Sequence, residues 1–213
     1  ITSWETPYSL VAQMRASTAV LGPLISRFGK AVVAMPGGCN IGARKIDMHI
    51  LGLEALGVEF KVEHGNIHAS APHGITGETV SLAFASVGAT ENLMMASVFA
   101  KGVTVIDNAA REPEIVDLAT MLNKMGANIQ GAGSPVIEIH GVTELHPVEH
   151  EVVGDRIEAG TFLAIGALTG EPITVHGFEP NHLGLVLKKY EQMGITIETG
   201  DRWARASRQQ DLK

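Results

Sequence analysis

The chain has 213 residues, 45% of them hydrophobic and 18% charged, and a formal net charge of -7. That composition belongs to a folded protein with a sizeable core and excludes disorder, while the acidic balance excludes a general nucleic-acid binder, which needs a basic face. No apolar run reaches the roughly 18 residues of a membrane span, and one cysteine permits no internal disulfide, so a reducing cytoplasm is the expected compartment.

In chain order, ITSWETPYSL opens without a methionine, and the sequence reads as an internal piece of a longer protein. A first helix is expected through QMRASTAVLGPLISRFG, with Arg15 inside it and Arg27 at its end, followed by a strand in AVVAM. The loop PGGCNIGAR comes next, and then a helix from near Ile46 whose stripe is Ile46, Ile50, Leu53 and Leu56. Gly57 ends that helix, and the alternation Val58, Phe60, Val62 predicts a half-buried strand.

A second copy of the same order begins at SVGAT, residues 86–90, where Ser86 suits an N-cap and the small residues suit an anion nest. REPEIVD places Pro113 and Glu114 in a first helical turn. The stripe Ile115, Leu118, Leu122, Met125 then runs to Gly126. A third copy starts at EAGTFLAIGALTG and runs to Gly194 and the strand residues Ile195 and Ile197. The closing glycines Gly57, Gly126 and Gly194 are 69 and then 68 residues apart, a regularity that predicts three successive units with helices on one face of mixed sheets.

The repeat provides its own ruler. Between the glycines that end the two helices of a unit the counts are 28 (Gly29 to Gly57), 24 (Gly102 to Gly126) and 24 (Gly170 to Gly194), so the first unit carries four extra residues. They fall in PGGCNIGAR, and a loop enlarged in one copy of a scaffold points to a site. Two glycines there free backbone N–H groups for an anion, and Arg44 precedes a helix start. Cys39 between these features has its thiolate favoured and is a candidate nucleophile or proton donor beside a phosphate. The alternative is a small buried hydrophobe in a plain turn. The nine histidines form no metal-ligand pattern, and no nucleotide-binding glycine fingerprint is present, so no metal or cofactor is expected.

PYSLVAQMRASTAVLGPLISRFG, PGGCNIGARKIDMHILGLEALG, SVGAT, NAAREPEIVDLA and DRIEAGTF together resemble the UDP-N-acetylglucosamine 1-carboxyvinyltransferases, the enolpyruvyl transferases that open peptidoglycan synthesis. The resemblance implies an α/β (α+β) fold: an inside-out α/β barrel pair of repeated βαβαββ-type units, helices packed against mixed sheets. Residues 1–152 would then be two of three units of the domain carrying the cysteine loop, and residues 153–213 one unit of the other domain. It also implies that Cys39 protonates and can covalently hold phosphoenolpyruvate and is the thiol alkylated by fosfomycin, with Arg15 and Arg44 at the anionic substrates. Arg44, Lys45, Ile46, Asp47 and Met48, with Phe84, Ala85, Ser86, Val87 and Gly88, match segments that hold UDP-N-acetylglucosamine. Asp155 and Arg156 match residues at the interdomain cleft. Lys45 stands where the family commonly has proline, and Phe84 where it has lysine. The family's lysine and its catalytic aspartate fall outside these 213 residues, so the segment alone is expected to be inactive. No membrane, nucleic acid or obligate protein partner is implied. Two alternatives stay open: a sibling transferase acting on another alcohol, and a non-catalytic nucleotide-sugar-binding paralogue.

Overall fold

The computed structural model describes residues 1–35 and 46–208. Cys39, Arg44 and Lys45 lie outside the described residues. A short α1 (Tyr8–Val11) precedes the expected first helix, which is itself divided into a 3₁₀ turn (Arg15–Val20) and α2 (Leu21–Phe28). Pro23 supplies the reason: without an N–H it cannot bond the Ala19 carbonyl, so a continuous α-helix through this stretch would lose a bond and clash. Arg15 opens the 3₁₀ turn instead of lying in an α-helix.

The chain continues through β1 (Lys30–Ala34), α3 (Asp47–Ala55), β2 (Glu59–Glu63) and β3 (Asn66–Ser70). Next come β4 (Thr79–Ser81), α4 (Val87–Ser97), β5 (Val103–Asp107), α5 (Pro113–Lys124), β6 (Asn128–Gln130) and β7 (Val136–His140). The chain then forms α6 (Arg156–Thr169), β8 (Ile173–His176), a second 3₁₀ turn (Pro180–Leu183), α7 (Gly184–Gln192), β9 (Thr196–Gly200) and β10 (Trp203–Ser207).

The three expected units share one strand order: β1-β3-β2, β5-β7-β6 and β8-β10-β9. In each, the last strand lies in the middle and runs antiparallel to both neighbours. β4 adds a parallel strand beside β5, and a parallel bridge from Glu5 to Val32 does the same beside β1. Five of the six marker glycines, Gly29, Gly57, Gly126, Gly170 and Gly194, follow a helix directly and take positive φ, from 68° to 107°, the left-handed conformation that stops a helix cheaply only with glycine; Gly102, at 95°, instead lies beyond the Val98 cap of α4 and leads into β5.

The middle strands present the same alternation to the core: Ile67 and Ala69 on β3, Ile137 and Ile139 on β7, Ala204 and Ala206 on β10. Each fully buried isoleucine contributes about 1.5–3 kcal/mol relative to exposure. The chain divides into two compact parts, Ile1–His150 and Glu151–Lys213, each with its own core. Within the first, α4 is buried on nearly every side through Ala89, Thr90, Asn92, Leu93, Met94, Ala96 and Ser97, which is why it lacks a polar face. The surplus of the first unit falls where the sequence placed it, since residues 35–46 separate β1 from α3 while only residues 108–112 separate β5 from α5.

Candidate substrate cavity

The N-terminus of α4 is built by Ser86. Its Oγ accepts from the Ala89 N–H at 3.4 Å, and its carbonyl accepts from the Thr90 hydroxyl at 2.8 Å. Val87 and Gly88 occupy the first turn, whose N–H groups have no partner within the helix and carry the positive end of its dipole. Directly ahead lies a cavity of about 440 Å³, lined among others by Arg15, Thr18, His49, Phe84, Ser86 and Glu91. The 3₁₀ turn, α3, the 84–86 segment and α4 each supply part of its wall.

Six residues expected at substrate from the resemblance, Arg15 and Phe84, Ala85, Ser86, Val87 and Gly88, line this one cavity. Ile46, Asp47 and Met48 do not: Ile46 is buried at 7% exposure, Met48 packs partly buried against the core, and Asp47 is exposed in the first turn of α3. Asp155 and Arg156 belong to the Glu151–Lys213 part of the chain. Asp155 caps α6, its Oδ1 accepting from Ile157 N–H at 2.8 Å and Glu158 N–H at 3.1 Å, and Arg156 is the first residue of that helix.

Two groups on the cavity wall, His49 and Glu91, and one behind it, Asn92, were missed in the sequence. His49 is 5% exposed. Its pKa is lowered from 6.5 to about 4, first by burial and then by the Arg15 charge, with Asp47 opposing. Glu91, one turn into α4, has its pKa raised by burial and secondarily by Glu114. Asn92 is fully buried; its Nδ2 donates to the Thr18 carbonyl at 2.9 Å and lies 2.8 Å from His49 Nδ1, while its Oδ1 accepts from Gly22 N–H at 2.8 Å. The one available signal was polarity out of place, an amide inside the otherwise apolar run around LMMAS.

The lowered His49 pKa sets a pH dependence. Folding holds the ring neutral, so its contribution is fully present above the unfolded value near 6.5 and is lost as pH falls toward 4. Urea unfolding between about pH 7.5 and 4 should show wild type losing on the order of 3 kcal/mol more than His49→Gln. Parallel curves would refute burial as the cause.

The chemistry of the cavity is that of an anion site with an apolar rim. Arg15 and the α4 N-terminus favour negative charge, and Phe84, 62% exposed, offers a flat apolar face. Among the described residues no group of three or more His, Cys, Asp or Glu could hold a metal, and no helix is long and apolar enough to cross a membrane.

The model of EPSP synthase (3-phosphoshikimate 1-carboxyvinyltransferase) matches residues 1–213. UDP-N-acetylglucosamine 1-carboxyvinyltransferase 1 of Staphylococcus aureus strain MRSA252 is 51% identical over 209 residues, 98% of this chain and 50% of that protein. The UDP-N-acetylglucosamine 1-carboxyvinyltransferase of Gluconacetobacter diazotrophicus is 51% identical over 208 residues, with the same two shares. The chain thus spans about half the length of these relatives. Among solved structures, the enolpyruvyl transferase NikO from Streptomyces tendae superposes with a TM-score of 0.84 at 24% identity, over 99% of this chain and 51% of that one. EPSP synthase from Acinetobacter baumannii gives 0.64 at 20% identity, over 91% and 46%. Both share the fold.

Proposed function

Because the chain belongs to the EPSP synthase family, we propose that the protein carrying it transfers the enolpyruvyl group of phosphoenolpyruvate to the 3-hydroxyl of UDP-N-acetylglucosamine, releasing phosphate, as the committed step of peptidoglycan synthesis in the cytoplasm. The observation that carries this reading is the cavity where Arg15 meets the N-terminal turn of α4. A cation and the backbone N–H groups of a helix's first turn suit the diphosphate of a nucleotide sugar. The names of relatives about half identical to this chain point to the same substrate.

In the proposed reaction the sugar 3-hydroxyl gives up its proton to a base outside these 213 residues and its oxygen bonds to C2 of phosphoenolpyruvate, while C3 takes a proton. The resulting tetrahedral ketal then loses phosphate from C2 and a proton from C3, restoring the double bond. The first step needs an acid at the methylene carbon and cations around the phosphate. Cys39 is assigned the acid and Arg44 joins Arg15 as the cations, all on the first unit or its enlarged loop. The same thiol is the proposed site of fosfomycin alkylation.

The test is phosphate release from phosphoenolpyruvate by the full-length protein. Release should require UDP-N-acetylglucosamine. Release driven by a different alcohol would assign a sibling transferase, and tight sugar binding without any release would assign a binding paralogue.

A further inference from the structure

The orientation of the Asn92 carboxamide is fixed by groups that have no choice of role. Gly22 N–H can only donate, so the oxygen of the amide faces it at 2.8 Å, and the Thr18 carbonyl can only accept, so the nitrogen faces that at 2.9 Å. Gly22 lies in the first turn of α2 and Thr18 in the 3₁₀ turn before it, which makes this geometry part of the core packing. The backbone is close as well: a Cβ at Gly22 would lie 2.4 Å from the Asn92 carbonyl oxygen, so the two helices touch without a side chain between them.

The second proton of the Asn92 amide nitrogen then points at His49 Nδ1, 2.8 Å away. Nδ1 must offer a lone pair to it, and a neutral ring with a lone pair on Nδ1 carries its proton on Nε2. That edge of the ring faces the α4 N-terminus, since a Cβ on Gly88 would lie 3.1 Å from Cε1 and 3.4 Å from Nε2. Gly88 and His49 both line the cavity. Arg15 disfavours a second positive charge here, Asp47 favours one, and Glu91 stands on the same wall; burial decides for the neutral ring.

We infer that Asn92 is a positioning residue that locks His49 as the Nε2–H tautomer, so that His49 gives the cavity a neutral hydrogen-bond donor for a phosphate oxygen of the nucleotide sugar. This rests on the reading of the cavity proposed above. A neutral donor beside Arg15 adds direction without adding charge repulsion. It also explains why a fully buried carboxamide sits in a helix whose other fully buried side chains are apolar or small.

The experiment is nitrogen-15 NMR of histidine-labelled full-length protein near pH 7, with the His49 signals assigned by their loss in His49→Gln. Wild type should show an unprotonated Nδ1 and a protonated Nε2, and adding UDP-N-acetylglucosamine should shift the Nε2 signal. An Nδ1–H ring or an imidazolium overturns the lock. Asn92→Asp, which offers Nδ1 only an acceptor, should move the proton to Nδ1 and raise the sugar KM about tenfold with kcat within about twofold. If that variant fails to fold, two His49 variants decide. His49→Gln keeps an amide donor and should hold KM within about threefold, while His49→Leu should raise it about tenfold; equal losses in both overturn the donor role. If wild type binds no UDP-N-acetylglucosamine, the reading of the cavity falls and the donor role with it, and the tautomer measurement still decides the lock.

Discussion

Cys39→Ser should lower UDP-N-acetylglucosamine-dependent phosphate release by about 10²–10⁴-fold, the range expected when a positioned general acid is removed. A serine hydroxyl is nearly isosteric with the thiol, but it is far too weak an acid to protonate a carbon at neutral pH. The thiol is tunable, because positive groups and helix N-termini stabilise its conjugate base. Arg44 and the start of α3 at Asp47 follow it closely in the sequence. Sugar affinity should stay near wild type, since Arg15 and the α4 turn line a cavity built from other segments. Steady-state release alongside calorimetric titration of UDP-N-acetylglucosamine separates the two effects. Release by Cys39→Ser within tenfold of wild type would remove the cysteine from the chemistry and leave its loop without the assigned role.

Asn92→Leu should destabilise the Ile1–His150 unit by about 4 kcal/mol, a large part of a typical domain's total. Leucine branches at Cγ as asparagine does, with bulkier methyl groups, and removes every polar contact at once. Gly22 N–H, in the first turn of α2, has no helical partner and would be left buried without its acceptor. The Thr18 carbonyl keeps only its bond from Leu21 N–H, and His49 Nδ1 loses its donor. Each buried group so orphaned costs about 1–3 kcal/mol. Chemical denaturation followed by a probe in the first unit measures the loss. A change below about 1 kcal/mol would mean that water or local rearrangement replaces the amide, and the lock on His49 would then have no rigid anchor.

The repeat was legible because its markers are local. A glycine that must take positive φ, as Gly57 does at 92° and Gly126 at 107°, declares itself in the chain wherever the helix stops. Pro113 opening α5 and Ser86 capping α4 were readable for the same reason, since caps depend on residues three or four positions apart. The division between the 3₁₀ turn and α2, just ahead of Pro23, was misread although the proline was in view, because flanking helix-forming residues masked a single missing N–H.

The cavity divides along the same line. Six of its wall residues came from resemblance and from the cap signal at 86–90, whereas His49 and Glu91 on the wall and Asn92 behind His49 went unnoticed. Asn92 meets partners 43, 70 and 74 residues away along the chain, and no periodicity reports such distances. Likewise, the alternation in VIEIH could announce a strand but could not say that β7 would sit between β5 and β6.

By itself, then, the amino-acid order determined the unit, its helix stops, its enlarged loop and the residue types available for phosphate chemistry, because each follows from dihedral limits and side-chain period within a few residues. Folding in three dimensions decided which strand is central, which wall residues converge, and the charge and proton position of His49. Those depend on burial and on hydrogen-bond partners that meet only when α2, α3 and α4 pack against one another.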